Sequence, residues 1–181
     1  TLSWAGRFLD EDGFGWASRR DLSAAQFDSG IDTYTDRGYM VVDVDVRPDG
    51  LGLAYAFIAH ENLDSRDWAV HWDLTSSAYH DLWDGYRSQG LRPLDVEGYL
   101  VDGQPRFAGV WIENVEGLPW SSARQMTSAE YGAYFDERRA EGKRPIDIEA
   151  YDTPAGRRYA AIWYDNVGDV AWAQLRELDR D

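Results

Sequence analysis

The side chains best placed by type and spacing to do chemistry are six carboxylates: Asp43 and Asp45, Asp95 and Glu97, Asp147 and Glu149. Alternate residues of a strand share a face, so each pair points one way. Two such carboxyls serve a hydrolase as general acid and base when burial or a close like charge raises one pKa. The pair recurs at a constant 52-residue offset in three places, however, and active sites seldom come in triplicate. A second reading makes the row one wall of a polar binding groove edged by Tyr99 and Tyr151. A third gives the acids cross-strand ion pairs with Arg106, Arg124, Arg158 and Arg176, which fix register.

Other catalytic patterns fail on spacing. The single lysine, Lys143, has Ala140 where a Ser-x-x-Lys nucleophile needs serine, and no Gly-x-Ser-x-Gly elbow occurs. His60-Glu61 opens like a zinc-protease motif, but Asp64 stands where its second histidine belongs. His71 and His80 lie in other segments and carry no motif, although a Ser/His/Asp triad needs only convergence in space. Oxygen-rich loops at Asp10–Gly13, Asn62–Asp67, Glu113–Glu116 and Asp165–Asp169 offer the ligands hard cations prefer, without calcium-loop spacing. Their recurrent Asn fits a turn device better. No metal site and no cofactor is expected.

Tryptophan fixes the frame that must position these groups. Trp16, Trp68, Trp120 and Trp172 stand 52 residues apart, and Asn62, Asn114 and Asn166 keep the same spacing, as do Gly38, Gly90 and Gly142. A fixed period near this length marks a repeat array, whose neighbouring units bury each other's apolar faces. Full units are read at 24–75, 76–127 and 128–179, preceded by a partial capping unit at 1–23, all in one domain of 1–181.

Within a unit the period changes from helical to strand-like. Tyr79, Leu82, Trp83 and Tyr86 form one helical stripe, and Thr127 with Glu130 makes a capping box, as does Ser23 with Gln26. Gly38, Gly90 and Gly142 fall where a left-handed residue stops the helix. Alternation then takes over through Val42–Val46, Leu94–Glu97 and Ile146–Glu149, with turns at Pro48–Gly50, Asp102-Gly103 and Pro154–Gly156. The acids read as the polar face of half-buried strands. Each unit is thus helix, hairpin, third strand, in an α+β repeat protein of about three and a half units.

Seven of the nine tryptophans follow the repeat or match an aromatic site in another unit, which assigns them to packing. Trp4 and Trp72 remain. Trp72 occupies the position of Arg20, Arg124 and Arg176, and as a break in the pattern it joins the candidate ligand-binding set: Trp72, Asp45, Asp95, Glu97, Tyr99, Asp147, Glu149 and Tyr151.

Charge bounds the partners. A formal net charge of −15 disfavours nucleic acid and anionic membranes, which need clustered Lys and Arg. No cysteine is present, so disulfides and thiolate metal sites are excluded. The chain opens at Thr1, which reads as a processed or excised piece.

The segments Gly90–Tyr99 and Gly103–Trp111, with Gly142–Tyr151 and Arg157–Trp163, resemble the bacterial tandem repeat domain. The first unit departs from that motif, with Ala59 in place of tryptophan and Ala54 in place of arginine. Such repeats are similar to the N-terminal repeat domain of polyglycine hydrolases, secreted proteins that pair it with a β-lactamase-like serine peptidase domain. The resemblance implies a curved, half-barrel-like array and a secreted location; the peptidase serine and lysine have no counterpart here. The function expected is a non-catalytic recognition or scaffold module. Its partner would be a protein, a polysaccharide or peptide polymer, or an associated hydrolase domain. The alternatives are a carboxylate-dependent hydrolase and a purely structural spacer.

Overall fold

The computed structural model describes residues 5–9, 15–50 and 52–174, with side chains from Gly15 onward. Trp4, Arg176, Asp179 and the acidic loop at 10–13 lie outside the described residues.

The chain runs β1 (Ala5–Leu9), β2 (Gly15–Leu22), α1 (Ala24–Thr35), β3 (Tyr39–Asp49), β4 (Gly52–Glu61) and β5 (Trp68–Leu74). It continues through α2 (Ser76–Ser88), β6 (Leu91–Val101), β7 (Gln104–Glu113), β8 (Trp120–Met126), α3 (Ser128–Ala140), β9 (Lys143–Thr153) and β10 (Gly156–Asp165).

Local signals produce these elements directly. Ser23 and Thr127 close capping boxes with Gln26 and Glu130, and Thr75 caps α2 through the Ala78 amide. Gly38, Gly90 and Gly142 follow the helices at φ of 80°, 82° and 76°, a left-handed conformation that glycine adopts without a Cβ clash. Asp102 and Gly103 both take positive φ in the two-residue turn between β6 and β7, the twist that suits a tight hairpin.

Strand pairing makes three antiparallel sheets, ordered β1-β2-β4-β3, β5-β7-β6 and β8-β10-β9. The unit therefore differs in phase from the one read in the sequence. The strand after each hairpin joins the next sheet, so hydrogen bonding groups strand, helix and hairpin. The reason is that β5 pairs with β7 and β8 with β10, each across a helix, through a bulge at His71/Leu74 or Ala123/Met126. In the segment expected as a cap, β2 is a full member of the first sheet and β1 widens it by one strand. No strand is assigned near Trp172 among the described residues.

Each sheet packs its helix over a separate aromatic core. Phe27, Tyr34, Phe57 and Val44 fill the first, Tyr79, Phe107, Trp111 and Ile162 the second, and Tyr131, Tyr159 and Trp163 the third. Neighbouring units share side chains: Tyr99 and Val110 join the first core, Tyr151 and Ile162 the second. The periodic tryptophans are part of this sharing. Trp120 packs edge-on against Trp83 of the preceding helix at 5.1 Å, and Trp172 meets Phe135 at 5.8 Å. The array is thus cemented by burial between units, which no single unit could achieve alone.

Candidate functional site

The strands β3, β6 and β9 are the edge strands that face one another where sheets meet. An edge strand presents unpaired backbone amides, which must find acceptors when covered. The carboxylates supply them. Val44 donates its backbone N–H to Asp95 Oδ2 at 3.1 Å, and Val46 donates to Glu97 Oε1 at 3.3 Å. One unit later Val96 donates to Asp147 Oδ2 at 2.8 Å. Acids of the second and third units therefore close the edge of the sheet before them.

This placement corrects two expectations from the sequence. The row is not a solvent face in the middle of the array: Asp95 is 6% exposed and Glu97 9%. Nor, among the described residues, are the acids ion-paired to the expected arginines. Arg106 pairs with Asp73 at 3.2 Å, and Arg124 donates to the Ser76 carbonyl at 2.7 Å. In the first unit, where no preceding sheet lies among the described residues, Asp43 and Asp45 are exposed.

Burial dominates the electrostatics. Desolvation, then the charges of Asp147 and Asp43, pushes the Asp95 carboxyl well above the ordinary range. Desolvation and the Glu149 charge raise Glu97, while the backbone amide of Val46 opposes the shift. Glu149 and Asp147 are raised mainly by desolvation as well. Glu97 and Glu149 act on one another as well, since two neighbouring buried carboxyls resist carrying charge together.

The tyrosines of the candidate groove are buried too, at 3% for Tyr99 and 5% for Tyr151. The Tyr99 hydroxyl accepts the Asp73 backbone N–H at 2.8 Å. Asp73 has φ of 54° at the bulge in β5, with Asp21 and Gln125 in the same left-handed conformation at 56° and 61°. Tyr151 stands at the equivalent position beside Gln125, although its buried hydroxyl meets no partner at hydrogen-bond geometry, and Arg47, their counterpart in the first unit, pairs with Asp21. These side chains brace bulges and line no open groove.

Trp72 lies at the same bulge, half-buried, with its ring edge-on to Phe27 of α1 at 5.1 Å. Its counterpart Arg124 stacks its guanidinium on Tyr79 of α2 at 4.3 Å. A ring and a cation thus cover equivalent aromatic faces, and the break in sequence preserves a contact between units.

The remaining candidates do not converge. His71 Nε2 lies 2.6 Å from the Tyr86 hydroxyl, and burial lowers its pKa. His80 sits 3.5 Å from Asp84 on the outside of α2, and His60 is on β4. No group of three His, Asp or Glu side chains among the described residues is arranged to hold a metal ion. The oxygen-rich loops are turns clamped by their asparagines. Asn62 donates to the Arg66 carbonyl at 2.9 Å and accepts its N–H at 3.0 Å, and Asn114 does the same with Leu118. The left-handed residues there are Ser65, Gly117 and Asp169 at equivalent positions, with Gly168 beside the last, rather than the asparagines.

Directly after each clamping asparagine stands an exposed aliphatic: Leu63 at 71%, Val115 at 58% and Val167 at 69%. These residues carry no chemical motif, and only their common spacing inside polar loops marks them in the sequence.

A family profile described as polyglycine hydrolase-like, structural repeat, matches residues 13–62, 65–114 and 117–166. These three matches start 52 residues apart and coincide with the strand, helix and hairpin of each sheet. No curated protein matches the chain.

Proposed function

For a chain that belongs to the polyglycine hydrolase-like structural repeat family, we propose a non-catalytic recognition or scaffold role in a secreted bacterial protein. The chain is read as one curved, half-barrel-like array of about three and a half repeats, of which three are matched units. The array presents an extended surface to a protein or polymer partner, beside a hydrolase-type domain. One observation carries this reading. The repeated groups that could do chemistry are taken up in joints between units, as the Asp95 and Glu97 hydrogen bonds to β3 show most directly.

A carboxylate hydrolase has one observation in its favour. The raised pKa values of Glu97 and Glu149 are what a general acid requires. Against it, Glu97 is 9% exposed and already accepts a backbone amide, so no substrate bond can reach it without parting two sheets.

Tryptophan fluorescence titrated with cell-wall polysaccharides, glycine-rich peptides and a lysine-rich peptide tests the proposal. A saturable change with one of these classes and no cleavage product is the expected result. Cleavage abolished by Glu97→Gln would establish catalysis instead, and silence across the panel would reduce the array to a spacer.

A further inference from the structure

Single exposed aliphatics are ordinary on protein surfaces. A periodic one is not, because within a repeat array the periodic apolar positions normally build the core. Here Phe27, Tyr79 and Tyr131 repeat and are buried, whereas Leu63, Val115 and Val167 repeat and are 71%, 58% and 69% exposed. They contribute almost nothing to folding in any of the three units.

The loops that carry them sit side by side on one margin of the array. Arg66 of the first loop pairs with Glu116 of the second at 2.7 Å, and Asp165, at the start of the third, donates its N–H to the Pro119 carbonyl at 3.0 Å. Asparagine bonds close each loop, reciprocally at Asn62 and Asn114 and by a single donation from Asn166 to the Val170 carbonyl. Val170, 50% exposed, stands in the same loop as Val167, its carbonyl accepting from Asn166 at 3.0 Å.

The near end opens into a recess. Arg92 lies over the Tyr164 ring at 4.7 Å and pairs with Glu116, but its first-unit counterpart is Met40. Without an arginine there, Met40, His60, Leu63 and Arg66 line a concavity of about 240 Å³. That is room for an aliphatic side chain of a partner. Acidic groups accompany the row: Asp64, 76% exposed at its side chain, with Asp67 and Asp169, both exposed.

We propose that Leu63, Val115 and Val167, with the Met40 recess, form a docking row for a protein segment bearing aliphatic side chains flanked by Lys and Arg. This deepens the recognition reading above and rests on it. Aliphatic contact would supply the anchoring, and the acidic flanks would select cationic partners and speed encounter.

The test uses fluorescence anisotropy with a labelled amphipathic peptide of leucine and lysine, and two control peptides, Leu/Glu and Ser/Lys. The protein is compared with its L63S/V115S/V167S variant, whose charge is unchanged and whose thermal midpoint should stay with the parent. The expected result is saturable binding of the Leu/Lys peptide, at least about tenfold weaker in the variant, with neither control matching it. Equal binding by parent and variant would show charge adhesion alone and overturn the row. Equal binding of Leu/Glu would overturn the charge selection, and absence of Leu/Lys binding would overturn the proposal outright. If a ligand from the fluorescence panel still binds the variant as it binds the parent, the module reading survives while its placement here fails.

Discussion

Trp72 sits where Arg20 and Arg124 sit in other units, yet its ring meets Phe27 as the Arg124 guanidinium meets Tyr79. Sequence alone could register the mismatch but not the shared contact, because ring and cation have little in common except an affinity for aromatic faces. The packing predicts that Trp72→Arg is mild. The new guanidinium can stack on Phe27, and the change in unfolding free energy should stay within about 1 kcal/mol. Trp72→Ala leaves the Phe27 face uncovered and should cost about 2 kcal/mol, less than for a fully buried tryptophan because Trp72 is half-exposed. Urea denaturation of the two variants separates the outcomes. Arginine as damaging as alanine would mean that the indole makes a contact no cation can replace.

At the scale of elements, short-range physics was legible and long-range cover was not. Helix caps, the stop at Gly90 and the turn at Asp102-Gly103 depend on neighbours within a few residues, so the sequence states them. The alternation of Asp95 and Glu97 with Leu94 and Val96 also announces a strand, and it reads as a polar outer face. What it cannot announce is a second sheet edge lying against that face. The same acids are exposed in the first unit and buried in the second, for a reason 51 residues away in the chain. Gly98 is the other half of this joint. A Cβ there would lie 2.4 Å from the Tyr151 ring, so the close approach of β6 and β9 requires glycine where the flanking units have Val46 and Ala150. Gly98→Ala should therefore destabilise by about 1–3 kcal/mol through overpacking. Its helical contrast, Gly85→Ala, meets nothing within 4 Å and should gain a few tenths of a kcal/mol, up to about 1. A thermal scan in which both glycine variants moved alike would contradict the tight joint.

Over the whole molecule the joints add up to an unusual response to pH. Most paired carboxylates are held below their ordinary pKa, so proteins gain stability as pH rises out of the acid range. Asp152 beside Arg157 behaves so here, but it acts only at acidic pH. The carboxyls between the sheets have the opposite sign. Desolvation raises Asp147 to about 6, Glu149 to about 7 and Glu97 to about 10, from ordinary values of 3.8 and 4.5. The folded chain then binds more protons than the unfolded chain, and its stability must fall with increasing pH across that interval. This contribution is complete below the ordinary glutamate pKa and is lost as pH passes through the raised values. The thermal midpoint is therefore expected to be higher near pH 5 than near pH 9, with the decline starting in mildly acidic solution. Glutamine can stand in for the protonated form, so the Glu97→Gln/Glu149→Gln double variant should show a flatter profile. Salt separates this account from self-repulsion of a chain of net charge −15, which weakens the fold at high pH with the same sign but is screened by added ions. A decline that persists in molar salt and flattens in the double variant belongs to the joints. A decline that vanishes in salt and ignores the substitutions belongs to surface charge, and would mean that the buried acids are ionised without cost.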